Sequence, residues 1–423
     1  MPQYYFILGK NPTLSSAEII AVLNKLQISF DIKALSIEVL VLSTDAELSS
    51  EFIKTLGGTI KIGKIIDEVG LDDDEQKFEK IFEGQNIADN YLSAKEGKLH
   101  FGMSIYDGGA DKKYIGELNS RLKDLCVTVK QNLQNIGLKA GFVRIKDRYL
   151  SSVSVWKNQL LGKGMEMVLI CTNNKILAGK TLDVQEFESF SFRDYGRPQR
   201  NTKSGLIPPK LARMMINLAQ IGSDVKLLDP FCGSGTILQE AILLGYKNTY
   251  GSDINERAIF DSKTNVDWLF DNYRQLDESL FNTNIFLSDV RSIAQNISHN
   301  SIDVIITEPY LGAPLFKRPS YEIISSTLHE VGKLYLSAFL EFKKILNMGG
   351  KVIIVFPAFE DCGKMYFVEV LGKIKEIGFS QLELIPTEMT KNNLLQLTNR
   401  NTALYGGVEQ FVKREILIFK RQN

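Results

Sequence analysis

Two short runs of this sequence hold residue types that could do chemistry together. The first is Asp229-Pro230-Phe231-Cys232-Gly233-Ser234-Gly235-Thr236, followed downstream by Asp253; the second is Thr307-Glu308-Pro309-Tyr310. Gly233 and Gly235 allow a tight loop and let a ligand approach where a Cβ would stand. Asp253, at the end of a strand, is placed to accept two hydrogen bonds from a ribose diol. The loop lacks the Lys-Ser/Thr of a phosphate-binding P-loop and is not G-x-G-x-x-G. It opens on Asp229, which would repel a phosphate and suits a cation. In the second run Glu308 supplies a carboxylate for an amine. Pro309 fixes a turn that aims a backbone carbonyl, and Tyr310 offers a ring for stacking on a flat base. Alone, a G-S-G loop is a weak signal, and T-E-P-Y also fits a capped turn with Tyr310 packed on a core.

The elements around these runs place them in one crevice. Val225 to Leu228 reads as a strand, Ile237 to Leu244 as a helix stopped by Gly245, and Thr249 to Gly251 as the next strand. From there strands and helices alternate, as a parallel sheet requires. Strands are expected at 225–228, 249–252, 284–287, 302–306, 351–356, about 381–385 and 414–419, with a helix from about Ser325 to Leu346. Ser288-Asp289-Val290 ends the third strand. Thr307 to Tyr310 follows the fourth directly, at the carboxyl end where such sheets bind ligands.

With Asp253 at this spacing, D-P-F-C-G-S-G-T resembles the class I methyltransferases, and among them the RNA methylases that read D-P-x-C-G-S-G-T. The resemblance implies S-adenosylmethionine, which carries an amino group and a sulfonium and no phosphate. It implies a cofactor site of Asp229, Pro230, Cys232, Gly233, Ser234, Gly235, Thr236, Asp253, Ile254, Asp289 and Val290, with Asp289 taking the adenine amino group. Cys232 has no neighbouring His or second Cys, so it reads as a small loop residue rather than a nucleophile. T-E-P-Y is similar to the N/D-P-P-Y motif of amino methyltransferases. The archaeal and eukaryotic tRNA guanosine-N2 methyltransferases read D-P-P-Y-G. Here Thr307 takes the aspartate position and Glu308 the first proline, so the carboxylate is displaced by one residue. The implied catalytic set is Thr307, Glu308, Pro309 and Tyr310. Near the C-terminus a Y-G-R-x-x-Q pattern of the family has Gly407 in place of the arginine.

A chain of 423 residues with 44% hydrophobic content is long enough for two to three domains. Residues 1–55 read as an α+β, ferredoxin-like unit: strand, helix, strand, helix, with Ser15-x-x-Glu18 as a capping box. Residues 56–175 form a second α+β stretch. It has a half-buried strand at Thr59 to Ile66, an acidic helix-prone run to about Ala94 and a strand at Lys98 to Ile105. A helix over Asp111 to Ile136 and strands at Phe142 to Ile145, Ser152 to Val155 and Glu166 to Thr172 complete it. The runs at 101–106 and 150–170 resemble the THUMP domain, which implies a grip on tRNA. Residues 176–207 read as a basic linker whose R-D-Y-G-R-P-Q-R run resembles the family segment that closes over the cofactor, and residues 208–423 as the methyltransferase domain. The fold class is therefore α/β: a Rossmann-like methyltransferase with a seven-stranded, mostly parallel sheet, preceded by α+β and THUMP-like domains.

Net charge is zero, yet two segments are strongly basic. Residues 141–180 hold seven Lys or Arg against Asp147 and Glu166, and residues 191–213 hold six against Asp194, an excess of +5 in each. Arg144, Lys157, Lys163, Arg193 and Arg197 are the candidate RNA contacts. Trp156 and Trp268 read as core. Four scattered cysteines and three histidines offer no metal site. With no apolar run long enough for a membrane span and no signal peptide, a cytoplasmic setting is expected. The resemblance implies methyl transfer to the N2 amine of a guanosine, at position 10 of tRNA, with tRNA as partner and room for a small activating subunit. The alternatives are another nucleic-acid exocyclic amine (rRNA guanine N2 or adenine N6), or a tRNA-binding protein that holds cofactor without turnover.

Overall fold

The computed structural model describes residues 1–71, 75–92, 98–145, 147–200, 206–386, 389, 395–407 and 409–422. The Asp72-Asp73-Asp74 run, Ala94, Lys146 and Lys203 lie outside the described residues. The chain divides into two compact units, Met1–Ser16 with Leu26–Phe187, and Ala17–Lys25 with Glu188–Asn423.

The first unit is built on one eight-stranded sheet. Its strands are β1 (Gln3–Leu8), β2 (Phe30–Leu35), β3 (Val39–Thr44), β4 (Thr59–Gly70), β5 (Lys98–Asp107), β6 (Lys139–Phe142), β7 (Met165–Cys171) and β8 (Lys175–Val184), in the order β2-β3-β1-β4-β8-β7-β5-β6. Strands from residues 1–55 and 56–175 thus share one sheet, joined where β1 pairs antiparallel with β4. Helices α1 (Pro12–Lys25), α2 (Glu75–Lys80), α3 (Gly84–Asn90), α4 (Lys112–Asn135) and α5 (Ser152–Lys157) complete this half of the chain. In α4, Leu118, Leu122, Leu125, Val129 and Leu133 recur at helical spacing and are all buried, and the Asp111 side chain caps the helix by accepting from Lys113 N. A buried ion pair, Lys61 Nζ to Glu166 Oε1 at 2.5 Å, is fully satisfied: Ser104 and Thr181 donate to Glu166, and Leu150 O accepts from Lys61.

Several local expectations are corrected here. Ser152 to Val155 is helical, because the Ser151 hydroxyl accepts from Ser154 N and starts α5. Residues 176–184, read as the start of the 176–207 linker, belong to β8, an interior strand paired with both β4 and β7. Its burial does not alternate, with Ile176 to Gly179 buried in succession, as befits a strand inside the sheet. Helix α1 starts at Pro12, with Asn11 Oδ1 accepting from Leu14 N, so Ser15 and Glu18 sit inside the helix instead of capping it. The second helix of the N-terminal stretch is a single 3-10 segment, Ser50–Thr55.

The second unit has the expected α/β architecture. Its strands are β9 (Lys226–Asp229), β10 (Asn248–Asp253), β11 (Asn282–Leu287), β12 (Ile302–Thr307), β13 (Leu346–Asp361), β14 (Lys364–Tyr366), β15 (Phe379–Leu382), β16 (Ala403–Tyr405) and β17 (Val412–Arg421). Seven of them follow the path β11-β10-β9-β12-β13-β17-β15; the short β14 and β16, not expected from the sequence, attach to β13 and β17. The first five on that path are parallel, and β17 inserts antiparallel between β13 and β15. The helices are α6 (Phe187–Tyr195), α7 (Pro209–Leu218), α8 (Thr236–Leu243), α9 (Glu256–Asn272), α10 (Tyr321–Ile345) and α11 (Leu371–Ile377). Strand order reverses at β9, which has β10 on one side and β12 on the other. That reversal opens a crevice at the carboxyl ends of these strands. The runs 229–236 and 307–310 leave from the two sides of this crevice. Among the described residues, no helix is long and apolar enough to cross a membrane.

Candidate active site

The loop after β9 is shaped by its backbone. Cys232 N donates to Ser252 O at 2.9 Å, and Gly235 N donates to Cys232 O at 2.7 Å. Gly233 has φ +50 and Gly235 φ +80, both in the left-handed region. A Cβ on Gly235 would lie 2.5 Å from Ser262 Oγ, whereas one on Gly233 would meet nothing nearer than Phe231 O at 4.0 Å. Gly235 is therefore fixed by packing, and Gly233 leaves an open face toward a ligand. Asp253 braces the turn: Gly233 N donates to its Oδ2 at 3.1 Å and Asn255 N to its Oδ1 at 2.9 Å. Burial pushes the Cys232 thiol well above its ordinary range, the opposite of what a nucleophile needs.

Asp229 does not face the crevice as a bare acid. It is 2% exposed, and its Oδ1 accepts from Thr307 Oγ1 at 2.7 Å and from Phe231 N at 3.2 Å. Burial raises its carboxyl to about 7; the two hydrogen bonds pull the other way, and the charges of Asp253 and Glu308 add to the rise. Thr307, which occupies the position of the family aspartate, is thus turned onto the first loop and ties the two runs together.

Glu308 is held by a residue that sequence reasoning missed. Arg414 on β17 donates from Nε to Glu308 Oε2 at 2.5 Å and from Nη2 to Oε1 at 3.0 Å, a bidentate pair. The same Nη2 also reaches Leu206 O at 3.3 Å. The nearest signal was Arg414 itself, the residue that opens the last expected strand. Pro309 is buried, while Tyr310 is 47% exposed and its carbonyl accepts from Tyr335 OH at 2.8 Å. Asp289 likewise has an unforeseen partner. Its Oδ2 accepts from Arg291 Nη2 at 2.5 Å, its Oδ1 from Arg291 N at 2.9 Å, and the guanidinium holds its carboxyl below the usual range.

These groups surround one cavity of about 900 Å³. Pro230, Phe231, Gly233, Asp253, Ile254, Asp289, Val290, Glu308, Pro309, Tyr310 and Arg414 are among the residues that bear on it directly. Of these eleven, all but Phe231 and Arg414 were expected from the sequence, whereas Asn255, Arg291, residues 311–315 and residues 409–412, which also line it, were not. Asp229, Cys232, Ser234, Gly235, Thr236 and Thr307 are buried behind its wall and set the loop. Ile254 is 66% exposed, an apolar surface beside Asp253.

The basic segment before α7 behaves differently from expectation. Arg193 and Arg197 are 4% and 3% exposed, so they are not surfaces for a phosphate backbone. Arg193 Nε donates to Glu240 Oε1 at 2.5 Å, and Arg213 Nε to Glu240 Oε2 at 2.8 Å. Arg197 Nη1 donates to Thr236 Oγ1 at 2.5 Å, and Asn265 Nδ2 bonds both Gln199 O and Ser234 O at 2.9 Å. The segment clamps the cofactor-type loop from behind. In the first unit Arg144, Lys157 and Lys163 are exposed. Trp156, expected in the core, is 55% exposed beside Lys157, because α5 is one short amphipathic helix and not a strand. Trp268 is partly buried and packs on Phe192 with ring centroids 5.0 Å apart.

Residues 197–377 match the family described as RMKL-like, methyltransferase domain, and residues 117–263 match a family described as DNA methylase. The tRNA (guanine(10)-N2)-dimethyltransferase of Methanocaldococcus jannaschii is 29% identical over 198 residues, covering 46% of this chain and 51% of that protein. The protein of the same name from Methanothermobacter thermautotrophicus is 28% identical over 195 residues, covering 45% and 50%. The chain thus spans about half the length of the curated relatives it matches. Among solved structures, TrmN from Thermus thermophilus superposes with a TM-score of 0.56 at 13% identity over 99% of both chains, which establishes a common fold. These matches give the second unit a methyltransferase domain and make the chain similar, over about half its length, to tRNA (guanine(10)-N2)-dimethyltransferases.

Proposed function

We propose that this protein is a tRNA guanosine-N2 methyltransferase, which transfers a methyl group from S-adenosylmethionine to the N2 amine of a guanosine in tRNA, at position 10. The observation that carries the reading is the convergence on one cavity of Gly233, Asp253 and Asp289 with Glu308 and Tyr310. The residues fit the cofactor. Gly233 leaves a backbone face open, Asp253 stands where a diol would donate, and Ile254 and Val290 offer apolar surface to a flat ring. When bound, the cofactor would supply a methyl on a sulfonium, a carbon that an amine can attack in line as the carbon–sulfur bond breaks and the neutral thioether leaves. Asp289 and Glu308 are balanced by Arg291 and Arg414 in the same lining, which leaves Asp253 and Glu409 as the acids in excess, a surplus that suits that cation. Tyr310 stacks on the base, Glu308 accepts from the amine N–H and draws its lone pair out of conjugation, and both hold the acceptor in line.

The first unit serves as a THUMP-like tRNA grip in this reading. Exposed Arg144, Lys157 and Lys163, with exposed Trp156 and Tyr149, combine phosphate-seeking charge with stacking surface. The second reading, a tRNA-binding protein that holds cofactor without turnover, is favoured by one observation. Both oxygens of Glu308 are taken by Arg414, and the Thr307 hydroxyl is committed to Asp229. Nucleoside mass spectrometry decides between them. Unmodified tRNA is incubated with S-adenosylmethionine and either the native protein or Glu308→Ala. N2-methylguanosine from the native protein, with the yield lowered about 100-fold or more by the substitution, supports turnover through Glu308. Equal product from both removes Glu308 from the mechanism, and no product from either favours binding alone.

A further inference from the structure

The loop that follows T-E-P-Y presents large apolar side chains to solvent at the rim of the cavity. Phe316 is 96% exposed, and Tyr310, Tyr321 and Ile323 are 47%, 57% and 43% exposed. Single exposed apolar residues need no explanation, but these four fall between positions 310 and 323 of one stretch of chain. Leu311 to Leu315 bear on the cavity, so Phe316 stands one residue beyond its wall, and exposed Lys317 follows it. The two ends of the loop are fastened. Tyr335 OH donates to Tyr310 O, Arg318 donates from Nε to Asp361 Oδ1 at 2.9 Å, and the Tyr321 ring lies 5.6 Å from that of Tyr366. Gly312, at φ +107, sits where a Cβ would come within 2.5 Å of Thr327 Cγ2, and Pro314 and Pro319 restrict the backbone on either side of Phe316. The loop therefore holds an aromatic ring and a cation outward on a stiff support.

We propose that Phe316 is a wedge that enters the base stack of the RNA where the target nucleotide has left it, with Lys317 contacting the adjoining phosphate. The inference rests on the proposed function: an amine on a base within a stacked stem cannot reach this cavity until the base is extruded. Extrusion costs a few kcal/mol of stacking, and an inserted aromatic side chain replaces part of it on the opposite strand or neighbour. A fixed ring at the rim of the pocket that receives the base fits that task, and the lysine beside it favours a polyanion over an apolar protein surface.

The test compares Phe316→Ala and Phe316→Trp with the native protein on two substrates, a folded tRNA transcript and a short unstructured RNA carrying the same guanosine. Phe316 is almost wholly exposed, so both variants should fold. Phe316→Ala is expected to lower kcat/KM on folded tRNA by about 10- to 100-fold and to stay within about twofold on the unstructured RNA, while Phe316→Trp remains near native on both. A 2-aminopurine placed beside the guanosine should brighten on binding the native protein and much less on binding Phe316→Ala, a readout independent of turnover. Equal loss on both RNAs, no loss on either, or a loss that occurs only when a second protein chain is present would overturn the wedge. If the native protein methylates folded tRNA and Phe316→Ala does so equally, only the wedge falls; if the native protein methylates no RNA, the proposed function falls with it.

Discussion

Residues 141–180 and 191–213 carry the same excess of positive charge, and the fold uses it in opposite ways. In the first, Arg144, Lys157 and Lys163 lie open to water, while Arg148 and Lys175 pair with Glu38 and Glu68. In the second, Arg193, Arg197 and Arg213 are all buried, two of them around Glu240 and the third on Thr236. Phe190 lies under the guanidinium of Arg193 at 4.5 Å and of Arg213 at 5.0 Å. One segment can answer to a polyanion; the other fastens a chain segment to the loop that shapes the cavity. Charge counted along a sequence does not separate these uses. What separates them is a carboxylate on a neighbouring helix, Glu240 of α8, which pairs with two of the arginines.

The comparison breaks most sharply at that carboxylate. Glu240→Ala leaves two buried guanidinium groups without their acid, and removal of one partner from a buried ion cluster costs about 3–5 kcal/mol. Urea unfolding should show the second unit losing about that much stability. A midpoint within error of the native value would mean that Arg193 and Arg213 find water, and that the segment is no clamp. Asp229 provides a smaller effect of opposite kind, a buried carboxylate with hydrogen bonds and no cation. Its folded-state value of about 7 lies above the ordinary 3.8, so the folded protein keeps this proton while the unfolded chain has lost it. From about pH 4 to about pH 7, therefore, this group makes stability fall as pH rises, and above about pH 7 its contribution is level. Asp229→Asn should remove that slope, of order a few kcal/mol at most, which urea midpoints at about pH 5 and about pH 8 would reveal. A native protein whose stability does not depend on Asp229 in this window would contradict the burial argument.

Which parts were legible in the sequence follows from the range of the interactions involved. The seven principal strands of the second unit and both loops that face the cavity could be read, because apolar runs, glycine stops and a small-residue loop are local signals. Strand β8 could not: its run K-I-L-A-G-K-T-L-D-V does not alternate, because it lies inside the sheet between its hairpin partner β7 and the distant β4. Ser152 to Val155 is rich in β-branched residues, and only the Ser151 cap turned it into a helix. The partners that define the chemistry were the least visible. Arg414 and Glu308 are 106 positions apart, and Arg193 and Glu240 are 47 apart. Side chains at such separations meet only once the sheet and its covering helices have formed. Sequence reasoning therefore pointed to the two loops that line the cavity, but left its other walls and its ion pairs unseen.

The exposed segment yields the smallest and most selective effect, and the one that most sharpens the contrast. Arg144→Gln, Lys157→Gln and Lys163→Gln remove charges that stand in solvent, so each should leave unfolding midpoints within about 0.5 kcal/mol of native. If these side chains meet phosphates, each substitution should weaken tRNA binding uniformly across sequences and reduce the slope of log affinity against log salt by about 1. Arg193→Gln, matched in charge, should do the reverse: a large stability loss and a salt slope unchanged for whatever protein remains folded. Filter binding over a salt series, run beside urea melts on the same four variants, distinguishes the two behaviours. If Arg144, Lys157 and Lys163 leave the slope untouched, the tRNA grip lies elsewhere on the first unit. Equal charge in the two segments would then mark neither as a phosphate face.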